Sequence, residues 1–346
     1  MVKLIAFYLP QYHVIPENNS WWGDGFTEWD NVKSAKPFFS GHDQPKIPAK
    51  VIGYYDLTSE DFLLFQHNMA LNSGIYGFCY YYYNFDGHTL LEKPLQIVHH
   101  NKKIRNKFCL CWANESWTRA WYGQNKEVLI KQNYSEDNAV QIFYSLIKYF
   151  KDSRYIKIEG KPVFVVYNPD DITDAKMYSH VWRYLAKKHG FTGLYLMCVE
   201  SLVYNIHPEL YGFDASIEFA PDWTVSCLEK KLETGFRIYD YKQTAINMMM
   251  KPEPGYIRFK GAFPGWDNTP RYKNSGICFD NFSLGTFKYF IENRISETKK
   301  NFSSDYQYVF VNAWNEWGEG CYLEPDVKYG FSKLNIIKNL TRDHFL

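Results

Sequence analysis

Apolar and polar positions alternate along the chain between two patterns. Runs that are almost continuously apolar, β-branched or aromatic recur at 4–9, 75–82, 108–112, 162–167, 194–199, 215–219, 256–263 and 308–314. A strand covered on one face alternates apolar with polar residues, so unbroken runs of this length predict strands buried on both faces, as in a parallel sheet. Between most of them lie segments with helical spacing. The segment 59–72 opens with Ser59 as a cap, carries Leu63, Leu64 and Met69, and ends before Gly74. Segment 137–150 sets Val140, Phe143, Tyr144, Ile147 and Phe150 on one face, 175–189 closes at Gly190, and 284–300 repeats the stripe through Phe287, Phe290, Ile291 and Ile295. Strand alternating with helix in this way predicts an α/β fold, a (β/α)8 barrel. The connections after the fifth and sixth strands carry the weakest helical signal. A doubly wound sheet is the alternative, but the G-x-G-x-x-G and P-loop spacings are absent.

No linker, repeat or low-complexity tract divides the sequence, so a single barrel over 1–346 is expected. One connection is abnormal. More than forty residues separate the first strand from the first helix, and they hold Trp21, Trp22 and Trp29 with Pro37, Pro45 and Pro48. Loops of that length in a compact domain are functional or disordered, and three tryptophans argue against disorder. The segment reads as an aromatic lid over one barrel mouth.

Charge adds little. Lys plus Arg number 39 against 38 for Asp plus Glu, so no excess favours nucleic acid or anionic lipid as a partner. Aromatic residues stand out at 19%, which suits either a ring-rich core or a site that stacks flat ligand faces. The seven cysteines are odd in number, lack C-x-x-C spacing and lie largely in apolar runs, which reads as reduced core thiols of a cytoplasmic protein. The N-terminal apolar stretch is broken by Pro10 too early for a membrane span or a signal peptide.

In a (β/α)8 barrel, residues just past each strand converge on one face. Those positions hold Gln11, Tyr12 and His13; Tyr80 to Tyr83; Asn114 and Glu115; Asn168; Glu200; Glu218 and Asp222; Trp266 and Asp267; then Asn315, Glu316, Trp317 and Glu319. Carboxylates and amides hydrogen-bond neutral hydroxyls, and rings cover C–H faces. The shortage of Lys and Arg disfavours a phosphate-rich ligand, so carbohydrate fits. Structural readings stand beside the functional ones. Tyr80 to Tyr83 alternate faces, Glu200 and Glu218 read equally well as ion-pair partners, and His13 alone reads as a structural histidine. Glu316 and Glu319 are harder to explain that way, since they flank Trp317-Gly318 past an apolar strand with no salt-bridge pattern to serve. Two carboxylates are the equipment for breaking a glycosidic bond, one protonating the leaving oxygen while the other acts as nucleophile or base. No metal motif, cofactor loop or G-x-S-x-G elbow is present, so neither metal nor cofactor is expected.

Asn315-Glu316-Trp317-Gly318-Glu319-Gly320 resembles the N-E-W-x-E-G signature of glycoside hydrolase family 99, the endo-α-1,2-mannosidases and mannanases. A closer resemblance is to the family-99-like WbsX group of bacterial polysaccharide and O-antigen gene clusters. It runs through Ala6-Phe7-Tyr8-Leu9-Pro10-Gln11-Tyr12-His13, Trp21-Trp22-Gly23, Gly25-Phe26-Thr27-Glu28-Trp29, Tyr76-Gly77-Phe78-Cys79-Tyr80-Tyr81 and Cys111-Trp112-Ala113-Asn114-Glu115. The resemblance implies a barrel acting on a glycan with retention through a 1,2-anhydro sugar. Glu316 would be the base on the sugar's own 2-hydroxyl, and Glu319 the general acid and base. The candidate binding set is Tyr8, Tyr12, His13, Trp22, Trp29, Tyr80, Asn114, Glu115, Asn168, Glu200, Glu218, Trp266, Asn315 and Trp317. One departure is Gly318, where the mannosidases carry His. Three readings stay open: a retaining endo-glycosidase or transglycosidase, α-mannosidase-like, acting on bacterial surface polysaccharide, with an oligosaccharide or polysaccharide as substrate; a sugar-nucleotide-dependent glycosyltransferase of O-antigen assembly; and a glycan-binding barrel without turnover. The glycosyltransferase reading lacks a D-x-D triplet.

Overall fold

A computed structural model describes residues 1–119, 124–200, 205–233 and 235–342. Eight strands form its centre: β1 (Lys3–Tyr8), β2 (Ile75–Phe85), β3 (Lys107–Trp112), β4 (Lys161–Val166), β5 (Tyr195–Glu200), β6 (Ala215–Glu218), β7 (Arg258–Ala262) and β8 (Tyr308–Val311). Each pairs in parallel with its sequence neighbours, and β8 pairs with β1, so the sheet closes on itself as a (β/α)8 barrel. All eight apolar runs became barrel strands. Their near-continuous hydrophobicity follows from the two buried faces: side chains of one phase fill the lumen, and those of the other meet the helices.

The helices are α1 (Pro16–Trp22), α2 (Glu28–Ser34), α3 (Glu60–Asn72), α4 (Lys93–His100), α5 (Glu136–Phe150), α6 (Ala175–Lys188), α7 (Tyr241–Met250), α8 (Thr269–Tyr272), α9 (Leu284–Asn301) and α10 (Ser332–Arg342). Several begin where a short polar side chain caps them. Ser59, Ser135, Asp174 and Ser283 each accept a hydrogen bond from the backbone N–H three residues on. The connection after β5 departs from the repeat: its described residues hold a single 3-10 turn, Pro208–Tyr211. Beyond β6, Cys227–Lys231 and Arg237–Asp240 pair with each other before α7 leads into β7, and Arg237–Asp240 pairs in turn with Ile277–Asp280, which follows β7. These two connections are where helical spacing is weakest in the sequence.

The phase of each strand positions the site. On β2, Tyr81 faces the lumen, stacked on Phe7 at 5.5 Å, while Tyr80 faces α3 and its hydroxyl lies 2.7 Å from His67 Nε2. All seven cysteines are free, and all but Cys227 are buried. Among the described residues, no helix is long and apolar enough to cross a membrane.

Candidate active site

Past β8 the chain makes a tight structure from the Asn-Glu-Trp-Gly-Glu-Gly run. Asn315 bridges to the end of β1, accepting from Leu9 N at 2.8 Å and donating to Leu9 O at 2.9 Å. Tyr12 donates to Asn315 O at 2.6 Å and accepts from Trp317 N at 3.1 Å, which holds the entry to the 3-10 turn Trp317–Glu319. Trp317 lies flat on Tyr322 at 3.7 Å and donates from Nε1 to Glu324 at 2.7 Å. Glu324 also accepts from Gln66 and Tyr55, and Gln66 accepts from Tyr8. The amide and aromatic residues of the motif are thus anchors. They leave Glu316 and Glu319 turned to the barrel mouth.

There the two acids line a cavity of about 250 Å³. Leu9 and Phe219 give it an apolar floor beside Tyr81. Tyr83, Tyr167, Tyr272, Trp22 and Trp117 supply further aromatic wall, and Gln11, Glu115, Ser116 and Thr118 add polar groups. Arg271, the one cation among the described lining residues, comes from α8. Its Nη2 donates to Glu316 at 2.9 Å, its Nη1 to Glu319 at 2.8 Å and its Nε to Glu28 at 2.8 Å. Glu28 reaches it from the first turn of α2, where Thr27 and Asp30 form a capping box. Asp267 helps place α8. It accepts from Thr269 Oγ1 at 2.6 Å, while its own backbone N–H donates to Glu319 O at 2.5 Å. One guanidinium faces three carboxylates. Burial and the neighbouring acids raise the carboxyls of Glu316 and Glu319, against the lowering pull of Arg271. Two such groups titrate as a pair, and the pair keeps a proton well above the usual carboxylate range.

Gly318 sits between them. A Cβ there would lie 1.8 Å from Glu28 Oε1 and 2.8 Å from Arg271 Nε. A histidine at this position would need the space that the Glu28–Arg271 pair fills.

Of the candidate set, Trp22, Glu115, Glu316 and Glu319 line this cavity. Asn168 stands beside it, its side chain 3.5 Å from Glu115, and Asn114 pins the Asn168 backbone through both ends of its amide. Tyr8, Tyr12, Trp29, Asn315 and Trp317 are buried in the scaffold beneath the wall, and His13 is buried at the root of the loop after β1. Tyr80 points to the helix layer. So do Glu200 and Glu218: Glu200 lies 3.6 Å from Lys251 and 3.7 Å from Arg258, while Glu218 pairs with Arg294 at 3.3 Å. Burial opposes the charged form of Glu218, but Arg294, Arg258 and Lys260 outweigh it and hold the carboxyl below its ordinary range. Trp266 lines a second cavity of about 170 Å³, with His42 and Asp267. The long loop holds two helices, α1 and α2, and its tryptophans split: Trp22 faces the cavity, whereas Trp29 donates to Tyr55 O at 2.8 Å from a fully packed position. Tyr81 and Tyr83, read at the end of the second strand, are missing from the candidate binding set, and Tyr167, Phe219, Tyr272, Arg271 and Glu28 were not singled out as site residues. Strand alternation was the available signal for Tyr81 and Tyr83; nothing local marked Arg271.

The chain matches the family model described as glycosyltransferase WbsX over residues 4–337. Two curated relatives from strains of Xanthomonas campestris pv. campestris, each named uncharacterized protein WxcX, are 36% identical over 98% of this chain. The chain spans about half the length of these relatives, 50% of each. Among solved structures, the GH99 endo-alpha-mannosidase from Bacteroides thetaiotaomicron superposes with a TM-score of 0.63 at 12% identity, covering 98% of this chain and 96% of that one. A protein described as glycoside hydrolase-like superposes with the same score and identity, covering 94% of its chain. At such identity the likeness is one of fold. The family match runs over nearly the whole sequence, and the chain belongs to the family described as glycosyltransferase WbsX.

Proposed function

We propose that the chain is a glycan-processing enzyme that cleaves or transfers glycosidic bonds with retention, using Glu316 and Glu319. The observation that carries this reading is the acid pair itself: two carboxyls bound to one guanidinium on the wall of an aromatic cavity. The pair shares a proton near neutrality, and although burial pushes Glu316 up to about 8, this reading places that proton on Glu319, where it can protonate a leaving glycosidic oxygen while ionised Glu316 withdraws a proton from a sugar hydroxyl held beside the anomeric carbon. In the proposed assignment Glu316 takes the proton of the sugar's 2-hydroxyl as O2 closes on C1, and Glu319 delivers its own to the departing oxygen. Glu319 then removes a proton from the incoming water or acceptor hydroxyl, and the strained ring opens as Glu316 returns its proton to O2. The proximity of an intramolecular hydroxyl makes the first step favourable. The GH99 endo-alpha-mannosidase name of a structural neighbour supports an α-mannoside-like substrate.

The family description favours a second reading, transfer from a nucleotide sugar. The cavity opposes it: the single cation among its described lining residues already serves three carboxylates, an unfavourable setting for a diphosphate. The deciding experiment incubates the purified chain with bacterial surface polysaccharides and α-mannan, with and without nucleotide sugars, and follows reducing ends and products by NMR. New reducing ends or transfer products without any nucleotide sugar are expected. Glu319→Gln should lower that rate at least about 100-fold while glycan binding persists. Strict dependence on a nucleotide donor, or near-normal turnover by Glu319→Gln, would overturn the reading. Binding with neither reaction would point to a glycan-binding barrel.

A further inference from the structure

Arginine usually meets a carboxylate as a fork, two nitrogens on one acid, because two parallel charge-assisted bonds are stronger than one. Arg271 does otherwise. Each of its three nitrogens serves a different carboxylate: Nε serves Glu28, Nη1 Glu319 and Nη2 Glu316. Glu28 accepts through one oxygen, and its other oxygen, also buried, has no hydrogen-bond partner among the described residues. A buried carboxylate left half-satisfied is costly, so its placement is poor design for stability alone. What it achieves is to occupy Nε and leave both Nη groups for the two acids of the turn. The missing side chain at Gly318 is the third part of the arrangement, since a Cβ there would collide with Glu28 Oε1 and Arg271 Nε.

We propose that Arg271 is the positioning residue of this site, holding Glu316 and Glu319 on adjacent nitrogens of one guanidinium so that they work as a pair, with Glu28 as its anchor in the space left by Gly318. This rests on the reading of Glu316 and Glu319 as the working acids. The two terminal nitrogens are rigidly spaced in one plane, so the fork sets the separation of the two carboxyls and turns both toward the same bound sugar. Glu28 also acts by charge. It presses on the pair from α2 while Arg271 relieves it from α8, and the balance sets where the shared proton leaves. Among the described residues, the other titratable groups facing the pair are Glu115 after β3, the Cys321 thiol after the turn and the phenols of Tyr12, Tyr81, Tyr83, Tyr167 and Tyr272, whose neutral forms burial favours. None of these is a cation.

The test needs no substrate, so it can fail independently of the proposed reaction. Infrared difference spectra of the whole chain are recorded across pH, following the protonated-carboxyl band that Glu316→Gln or Glu319→Gln removes. In Glu28→Gln the band should disappear at lower pH than in wild type, because one repelling charge is gone and the guanidinium is released to the pair. In Arg271→Met it should persist to higher pH. A nearby charge moves a carboxyl by about one to three pH units, well within detection. A purely structural role predicts no such opposed shifts. Unmoved midpoints, or two shifts in the same direction, would refute the proposal. If Arg271→Met, which leaves three acids without their cation, fails to fold, Glu28→Gln decides alone, and the absence of a downward shift refutes the proposal.

Discussion

Between Trp317 and Glu319 the chain carries no side chain, and the reason is space rather than backbone conformation. Glu28 Oε1 already fills the position of a Cβ at Gly318. Overpacking of this kind costs about 1–3 kcal/mol, so Gly318→Ala should destabilise the fold by that amount in denaturant melts. In a Glu28→Ala background the same substitution should cost much less. Equal costs in both backgrounds would show that something other than Glu28 excludes the methyl group. The same scale explains which candidate residues reach the cavity. Tyr80 and Tyr81 are indistinguishable in composition and neighbours, yet one meets His67 and the other lines the site. Their phase depends on which face of β2 the closed sheet turns inward, and a strand buried on both faces has no polar side to reveal it. Glu200 and Glu218 went the other way for the same reason, into ion pairs behind the barrel wall.

Among the elements, the loop after β1 shows how far composition carries a prediction. Its tryptophans marked it as ordered and close to the site, and α1 and α2 confirm the order. They did not say which tryptophan would be wall and which scaffold. Trp29 packs against Tyr12, Tyr55 and Trp317 with ring centroids at 4.6, 4.9 and 5.6 Å and is 3% exposed. Trp29→Ala should therefore cost about 3–5 kcal/mol of stability, measurable as a large drop in the denaturation midpoint. Trp22, on the cavity wall with Trp117, should behave differently: Trp22→Ala should weaken glycan binding in calorimetry while the midpoint changes little. A large loss of stability with unchanged affinity would make Trp22 a packing residue. Helix boundaries were more legible than ring orientations. Capping depends on three or four adjacent residues, so Ser59 announces its helix locally.

Across the whole molecule, Glu324 ties three elements together: α3 through Gln66, the loop after β1 through Tyr55, and the turn after β8 through Trp317. Complete burial pushes its carboxyl up to about 7 from an ordinary value of 4.5, despite those donors. An acid raised on folding binds more protons in the native state than in the unfolded one over that window. Its contribution is therefore fullest below pH 4.5 and declines as pH rises to about 7. Denaturant midpoints measured from pH 5 to 8 should fall with a component that Glu324→Gln removes. A profile with the same slope in that variant would assign the dependence to other groups. The carboxylates of the pair titrate in an overlapping range, so Glu316→Gln is the control that separates them.

What the amino-acid sequence determined by itself was everything that rests on short-range pattern: eight strands from eight apolar runs, the principal capped helices, and an acid pair held close by a three-residue spacing. The inward phase of each strand and the arrival of Arg271 and Glu28 were decided only by the tertiary structure. These depend on contacts between residues separated by 45 and 243 positions, which no local spacing encodes. A charge brought in from another loop has meaning only once the barrel has closed around it.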